Sequence, residues 1–263
     1  MALIPFIDPH VHADSRSGEE LGRLRAAGCE GVAIVAGAAG GFSCPEGLYD
    51  YFRRLDRLDR RKVERSGLRA WVALGVHPAG IPDAGLDALE DGLGEALRAH
   101  GAQALGEIGL ERCDEREQRL LLRELELAAE LGLPAIVHTP REDKARALGL
   151  SLEILSRSGL DPERVLLDHL DEQTLELAEG SGCWLGLSVH PAKLDPERAA
   201  AIVDGRGPER IVVDSDCGAN PSWLFALPAA ISAMQDLSVP DAAIRAAVHD
   251  HALRFLGELA GET

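Results

Sequence analysis

Short apolar runs alternate with longer amphipathic stretches along almost the whole chain. This alternation is typical of repeated strand–helix units, in which a buried parallel strand is followed by a helix that covers the sheet. Eight apolar runs can be counted, and we predict one β-strand at each of them: residues 3–7, 31–36, 70–76, 102–108, 135–137, 165–167, 183–187 and 211–213.

Amphipathic stretches occupy the segments between these runs. Several of them begin at Asp, Ser or Pro and end at Gly, which are common residues at helix starts and helix ends. We predict helices at residues 18–27, 45–66, 86–100, 115–131, 151–158, 172–179, 196–204, 223–235 and 241–256. The last two follow the final predicted strand.

Parallel strands with helices between them can close into a barrel or spread into an open, doubly wound sheet. No Gly-x-Gly-x-x-Gly turn follows the first predicted strand, so the main sign of a dinucleotide-binding open sheet is missing. The 263 residues match the usual size of one barrel, and no Pro- or Ser-rich linker divides them. We therefore predict an α/β fold, a single (β/α)8 TIM barrel that spans residues 1–263.

The amino-acid composition indicates the cellular compartment of the protein. Hydrophobic residues make up 46% of the chain, but no apolar stretch approaches the roughly 18 residues that cross a bilayer. The first residues, Met-Ala-Leu-Ile-Pro, lack the charged start of a secretion signal. The five cysteines are scattered without a Cys-x-x-Cys pair, which predicts reduced thiols. We therefore expect a cytoplasmic protein without a membrane partner.

The net charge of the chain indicates which classes of molecule it can bind. The chain has 44 acidic and 27 basic side chains and a net charge of −17, and an acidic surface repels a phosphate backbone. We expect no stable binding of nucleic acid, and a small-molecule or nucleotide-like substrate instead. A nuclease stays compatible with this charge, because divalent metals and a local arginine cluster can hold a phosphodiester.

Polar residues gather at the ends of the predicted strands. In an α/β barrel the C-terminal strand ends converge on one mouth, where catalytic groups lie. The residues that we place there are Asp8, His10 and His12 after strand one, His77 after strand three, Glu107 near the end of strand four, His138 after strand five, Asp168 and His169 after strand six, His190 after strand seven, and Asp214 and Asp216 after strand eight.

His10 and His12 give the strongest local signal. Residues two apart on an extended strand point to the same face, so their imidazoles can grip one divalent ion. Glu107 interrupts a buried apolar strand, where a charge is costly unless it is paired or bound to metal. The alternatives are a solvated histidine pair and, for Glu107, a structural ion pair.

Three further residues complete a candidate ligand set. His138 and His169 each follow a short buried strand, and either alone is also compatible with a hydrogen-bonded core histidine. Asp216 adds a carboxylate that can bind metal and take a proton from an attacking water. This set could hold one or two divalent ions. Nitrogen and oxygen ligands without thiolates suit zinc, which we name first, with manganese, iron or magnesium as alternatives.

Six motifs occur in the order His-x-His, Gly-Val-His-Pro, Gly-Glu-Ile-Gly-Leu, Val-His-Thr-Pro-Arg-Glu, Asp-His and Asp-Ser-Asp, within a span from Asp8 to Phe255. This order resembles the TatD-related hydrolases of the amidohydrolase superfamily, and the segment from His138 looks closest to the branch known from archaea. The resemblance implies a (β/α) barrel with a one- or two-metal centre and Glu107 as the bridging carboxylate. The metal ligands that it implies are His10, His12, Glu107, His138, His169 and Asp216.

The same resemblance places His77 and Arg141 near the substrate. The alternatives are a histidine bonded to backbone and an arginine paired to Glu142. His190 is an additional imidazole at the end of strand seven, and we interpret it as substrate-facing or as a loop residue.

Departures from the family pattern bear on the substrate. The His-Cys-Phe-Ser-Gly segment common in TatD deoxyribonucleases is replaced by Asp-His-Leu-Asp-Glu around His169, which makes DNA a doubtful substrate. Glu111 stands where the family has Asp, and His251 stands where it has Asn.

These observations predict a metal-dependent hydrolase that uses a metal-activated water to cleave an ester or phosphoester bond, or an amide bond. Asp216 is the expected base, and Glu107 supports catalysis by holding the metals. Two alternatives stay open: a metal-dependent sugar isomerase or aldolase, and a metal-containing binding protein without turnover.

Overall fold

The structure of the protein is a computed structural model that describes residues 4–219 and 221–258. Eight strands alternate with helices, so the predicted (β/α)8 fold is confirmed. The strands are β1 (Phe6–Val11), β2 (Cys29–Val35), β3 (Arg69–Ala73), β4 (Leu105–Gly109), β5 (Ala135–His138), β6 (Val165–Leu167), β7 (Trp184–Ser188) and β8 (Ile211–Asp214).

All neighbouring strands pair in parallel, in the order of the sequence. They form a three-stranded sheet, β1 to β3, and a five-stranded sheet, β4 to β8. A single bridge between Ala73 and Ala104 joins β3 to the start of β4, and a bridge between Val11 and Cys217 joins the end of β1 to the segment after β8. These two narrow seams bring both sheets into one barrel.

Helices cover the outside of the barrel. They are α1 (Gly18–Ala26), α2 (Pro45–Arg54), α3 (Arg60–Arg65), α4 (Leu86–Ala99), α5 (Glu115–Leu131), α6 (Lys144–Ser158), α7 (Glu172–Ala178), α8 (Pro196–Arg206), α9 (Ala226–Asp236), α10 (Asp241–Arg245) and α11 (His251–Leu253). A π-helical turn, Leu55–Asp59, connects α2 to α3, and two more, Ala246–Asp250 and Arg254–Glu258, flank α11. Within residues 4–219 and 221–258, no helix is long and apolar enough to cross a membrane.

Side chains alternate between two cores along each strand, as an extended backbone requires. In β2, Val32 and Ile34 pack outward against helices, whereas Ala33 and Val35 face the barrel interior. Phe255 packs into the interior core, and His251 donates from Nδ1 to the carbonyl of Ile211, at the start of β8. The C-terminal helices therefore cover the N-terminal end of the barrel, away from the mouth.

The first strand differs from its prediction. It runs from Phe6 to Val11, so Asp8 and His10 lie inside the strand instead of after it, and predicted residue 3 lies outside the described residues. The polar sequence was expected to end the strand. The strand continues because its buried polar groups have partners: the Asp8 carboxylate accepts from Ser215, and the His10 ring donates to Asp168.

Other boundaries also shift. β3 ends at Ala73, so His77 lies four residues beyond the strand, and His190 lies two residues beyond β7. α6 begins at Lys144, seven residues before its predicted start. Gly149 weakened the helix pattern there, but its α-carbon faces open space and packing of the rest of the helix outweighs its low propensity.

Gly186 in β7 provides a test of how tightly the barrel packs. A methyl group at this position would lie 2.5 Å from Asp168 Oδ1 and 2.9 Å from Asp168 Cα. Because backbone beside β6 cannot easily move, Gly186→Ala is expected to lower the free energy of unfolding by about 1–3 kcal/mol. Gly205→Ala, in α8 with nothing within 4 Å, is the control and should raise it by about 0.5–1 kcal/mol. Urea unfolding of both variants measures the difference, and equal stabilities would contradict the packing.

Candidate metal centre

A cavity of about 460 Å³ opens at the C-terminal mouth of the barrel. The three predicted substrate residues, His77, Arg141 and His190, all line it. Below them lies a cluster of imidazoles and carboxylates that includes all six predicted metal ligands. The strand ends therefore converge as a barrel requires.

Glu107 is the centre of the cluster, and its two oxygens face different partners. Oε1 lies 2.6 Å from His138 Nδ1 and 2.7 Å from His169 Nε2. Oε2 lies 3.5 Å from His10 Nε2, 3.7 Å from His77 Nε2 and 3.8 Å from His12 Nε2. One buried carboxylate thus stands between two groups of histidines, the geometry expected of a group that bridges two ligand sets.

The end of β1 positions the first histidine pair, with His10 inside the strand and His12 directly after it. The two side chains are two residues apart and lie on the same face, with ring centroids 5.0 Å apart. His12 donates from Nδ1 to the carbonyl of Val35 at 3.0 Å, which leaves Nε2 directed at Asp216 Oδ1, 3.1 Å away. Asp216 thereby joins the cluster from the loop after β8.

Buried polar groups orient the rings from behind. His10 Nδ1 donates to Asp168 Oδ2 at 2.6 Å. His169 Nδ1 lies 2.6 Å from Ser188 Oγ, and that hydroxyl donates to Asp168 Oδ1 at 3.1 Å. Asp168 is fully buried and so fixes two rings at once, with each Nε2 turned to Glu107. Orientation of this kind is typical of histidines that bind metal.

Electrostatics in the cluster favour positive charge on two of its histidines, His10 and His138. Burial acts to lower the pKa of His10, but the charge of Glu107 and the bond to Asp168 outweigh it and raise that pKa well above its usual value. Burial also acts to lower the pKa of His138, but the charge of Glu107 outweighs it and raises that pKa to about 9. Burial lowers the pKa of His169 to about 4. A divalent cation can replace the protons that such a field attracts.

The residues fit a divalent ion. His10 Nε2 is buried and has no hydrogen-bond partner within the described part of the chain, although 3.5 Å separates it from both Glu107 Oε2 and Asp216 Oδ1. An orphaned buried nitrogen is costly unless something else satisfies it. His10, His12 and Glu107 each offer a ligand atom within 4.8 Å of the others, and so do His77, Glu107 and His138.

Two of the predicted substrate residues have fixed orientations. His77 Nδ1 accepts from the amide of Ala79 at 3.0 Å, and His190 Nδ1 accepts from that of Ala192 at 3.1 Å. Nε2 is therefore the protonated nitrogen of each neutral ring. Burial lowers the pKa of His77 to about 4, so its neutral form dominates.

Sequence reasoning missed three side chains at the site. Glu111 Oε2 lies 2.9 Å from His138 Nε2, but the sequence marked it only as a departure from the family pattern. Ser188 was hidden as one polar residue at the end of a buried run. Lys193 Nζ lies 2.5 Å from Asp216 Oδ2 and lines the cavity. The one sequence feature that could have marked Lys193 is that lysine is rare in this chain, which has only three.

Asp168→Asn tests the orienting role of this carboxylate. The amide removes the charge that His10 Nδ1 faces, so we expect zinc affinity to fall roughly 10- to 100-fold, the usual cost of losing such a partner. Isothermal titration with zinc measures the change. Asp195→Asn, at the N-cap of α8 and outside the cavity, is the control. Unchanged zinc affinity in Asp168→Asn would contradict the role.

Comparison with known proteins shows which family this sequence matches. The sequence model of the family described as TatD related DNase matches residues 7–222. An uncharacterized metal-dependent hydrolase of Methanocaldococcus jannaschii is 34% identical over 251 residues, which cover 95% of this chain and 99% of that protein. The uncharacterized metal-dependent hydrolase YjjV of Escherichia coli is 32% identical over 59% of this chain and 58% of its own length.

Solved structures show the same fold. The TatD-like protein of Archaeoglobus fulgidus superposes with a TM-score of 0.80 at 27% identity, over 95% of this chain and 99% of that one. A phosphotriesterase homology protein of Escherichia coli, solved with phosphate in its active site, gives a TM-score of 0.73 at 14% identity, over 97% and 100% of the two chains. The second likeness concerns the fold alone.

Proposed function

This chain belongs to the TatD-related DNase family, and from that membership we propose that it is a hydrolase whose mouth cluster holds one or two divalent metal ions. The observation that carries the proposal is the placement of Glu107, whose two oxygens face two separate groups of histidines. The ligands in this proposal are His10, His12, Glu107, His138, His169 and Asp216.

The reaction that we propose is attack of a water on an ester or phosphoester bond. Divalent ions held by these six residues would lower the pKa of a water and polarise the bond to be cleaved. Asp216 Oδ1 faces the cluster beside His12 and accepts the proton of the attacking water. The NH groups of His77 and His190, together with Arg141, bind the substrate from the cavity wall.

Zinc is the metal that we propose. The candidate ligands are imidazoles and carboxylates without a thiolate, which suits zinc and also manganese or iron, and magnesium less well. Metal content after purification and after dialysis against a chelator tests this assignment.

A small or nucleotide-like molecule is the substrate class that we propose. A volume of about 460 Å³ lies within the range of small-molecule sites. The family description names a DNase, but the net charge of −17 disfavours long DNA, so we propose weak duplex binding. Nanomolar, sequence-independent DNA binding at physiological salt would overturn this part of the proposal. The five free cysteines support our further proposal of a cytoplasmic location.

A screen of chromogenic esters tests the activity. The chelator-stripped protein, reloaded with zinc or manganese, is incubated with p-nitrophenyl acetate, p-nitrophenyl phosphate and bis(p-nitrophenyl) phosphate. We expect hydrolysis of at least one ester, and loss of that hydrolysis when the metal is removed. Metal binding without hydrolysis of any ester would favour a binding protein instead.

A further inference from the structure

Lys193 forms an ion pair inside the cavity that has no role in the mechanism above. Its Nζ lies 2.5 Å from Asp216 Oδ2, and the two side chains are only 10% and 15% exposed. Attraction between charges is stronger where water is largely excluded than on an open surface. This contact is therefore a stable feature of the site.

The ion pair divides the two oxygens of Asp216. Oδ2 faces Lys193, whereas Oδ1 lies 3.1 Å from His12 Nε2 and 3.5 Å from His10 Nε2. Asp216 lies two residues beyond β8 with a φ of 45°, in the left-handed region, so the strand itself does not aim its side chain. The carboxylate needs another group to fix its direction.

The loop after β7 holds Lys193 rigidly enough to do this. The amide of Lys193 donates to the carbonyl of His190 at 2.9 Å, and the amide of His190 donates to the carbonyl of Leu194 at 2.9 Å. Val189 donates to the carbonyl of Asp214 at 2.9 Å, which ties this loop to β8, the strand that precedes Asp216.

We propose that Lys193 is a positioning residue, which holds Asp216 by Oδ2 so that Oδ1 faces the histidines of β1. The proposal rests on the proposed function, in which Oδ1 accepts the proton. A carboxylate that is held in one direction loses less rotational freedom in the transition state than one that turns freely.

Kinetics separate positioning from substrate binding. For Lys193→Met we expect kcat on bis(p-nitrophenyl) phosphate to fall roughly 10- to 100-fold with KM unchanged, and Lys193→Arg should restore much of it. In an Asp216→Asn background the same change should have little further effect, because Lys193 acts through that carboxylate. A raised KM, or an equal loss in both backgrounds, would overturn the proposal.

Crystal structures of the metal-free variants provide a test without turnover. In Lys193→Met the carboxylate of Asp216 should turn, so that Oδ1 leaves hydrogen-bonding distance of His12 Nε2. An unmoved carboxylate would refute the positioning role. If the wild-type protein hydrolyses none of the esters, the proposed function fails and the crystal structures alone decide the role of Lys193.

Lys62→Met is the matched control. Lys62 Nζ lies 2.6 Å from Asp59 Oδ1, and the Asp59 side chain is 4% exposed, so this is a comparable ion pair outside the cavity. Its loss should lower the unfolding temperature without changing kcat or the direction of Asp216. A similar fall in kcat for both variants would show a general loss of structure instead of positioning.

Discussion

Glu107→Gln is expected to lose both bound metal and activity. The glutamine amide keeps the size of the side chain but removes the charge that faces five histidines. Loss of a residue that hydrogen-bonds a metal ligand usually lowers metal affinity or activity roughly 10- to 100-fold. Loss of a carboxylate that binds the ions directly should lower them by more than roughly 100-fold. Metal content and hydrolysis rate, measured on the same preparation, check the result.

Glu124→Gln is the matched control for that change. Glu124 is another fully buried glutamate, and burial raises its pKa well above the usual value, which favours a neutral carboxyl. Its Oε1 accepts from the amide of Val76 at 2.7 Å, a bond that a glutamine oxygen can also accept. This variant should keep its metal and activity. A Glu107→Gln protein that retains metal as firmly as this control would refute the bridging role.

Asp216→Asn is expected to fold, retain most of its metal and lose at least roughly 100-fold in kcat, the scale of losing a general base. The amide cannot accept the proton of the attacking water, while the remaining five candidate ligands stay in place. Circular dichroism, metal analysis and steady-state kinetics measure the three properties separately.

Asp214→Asn serves as the comparison for Asp216. Burial raises the pKa of Asp214 well above its usual value, which favours the neutral form even before substitution. This variant should therefore lose less activity. If Asp216→Asn keeps full activity with its metal bound, the base is elsewhere, and Asp214 or a water held by His190 becomes the leading candidate.

The sequence predicted most of the architecture, because each element carried its own local signal. α5 was predicted with both ends correct, since Asp114 caps its start and Gly132, with a φ of 65°, ends it. β1 was predicted to end at residue 7, because the apolar run ends there and polar residues follow it. Only the folded chain provides the partners, Ser215 and Asp168, that allow the side chains of Asp8 and His10 to be buried.

The residues of the site were likewise predictable where the signal was local in the sequence, and not where it depended on contacts between distant segments. Strand ends carry their own marks in the sequence, so the positions of the six candidate ligands, His77 and His190 along the chain were enough to predict that they share one mouth. Arg141 was placed there only by the resemblance to the TatD-related hydrolases. The contacts of Lys193, Glu111 and Ser188 depend on loops whose relative positions no short motif records. Whether the six residues bind metal stays a prediction for the experiments above.

The two seams of the barrel have a consequence for how the protein responds to metal. His10 lies in β1 of the three-stranded sheet and His12 directly follows it, whereas Glu107, His138 and Asp216 belong to the five-stranded sheet or to the loop after it. An ion shared by these side chains would cross-link two sheets that otherwise meet through a few hydrogen bonds at each seam. Zinc should then slow hydrogen–deuterium exchange of the His12 amide, which donates across one seam to Cys217, more than exchange within β6.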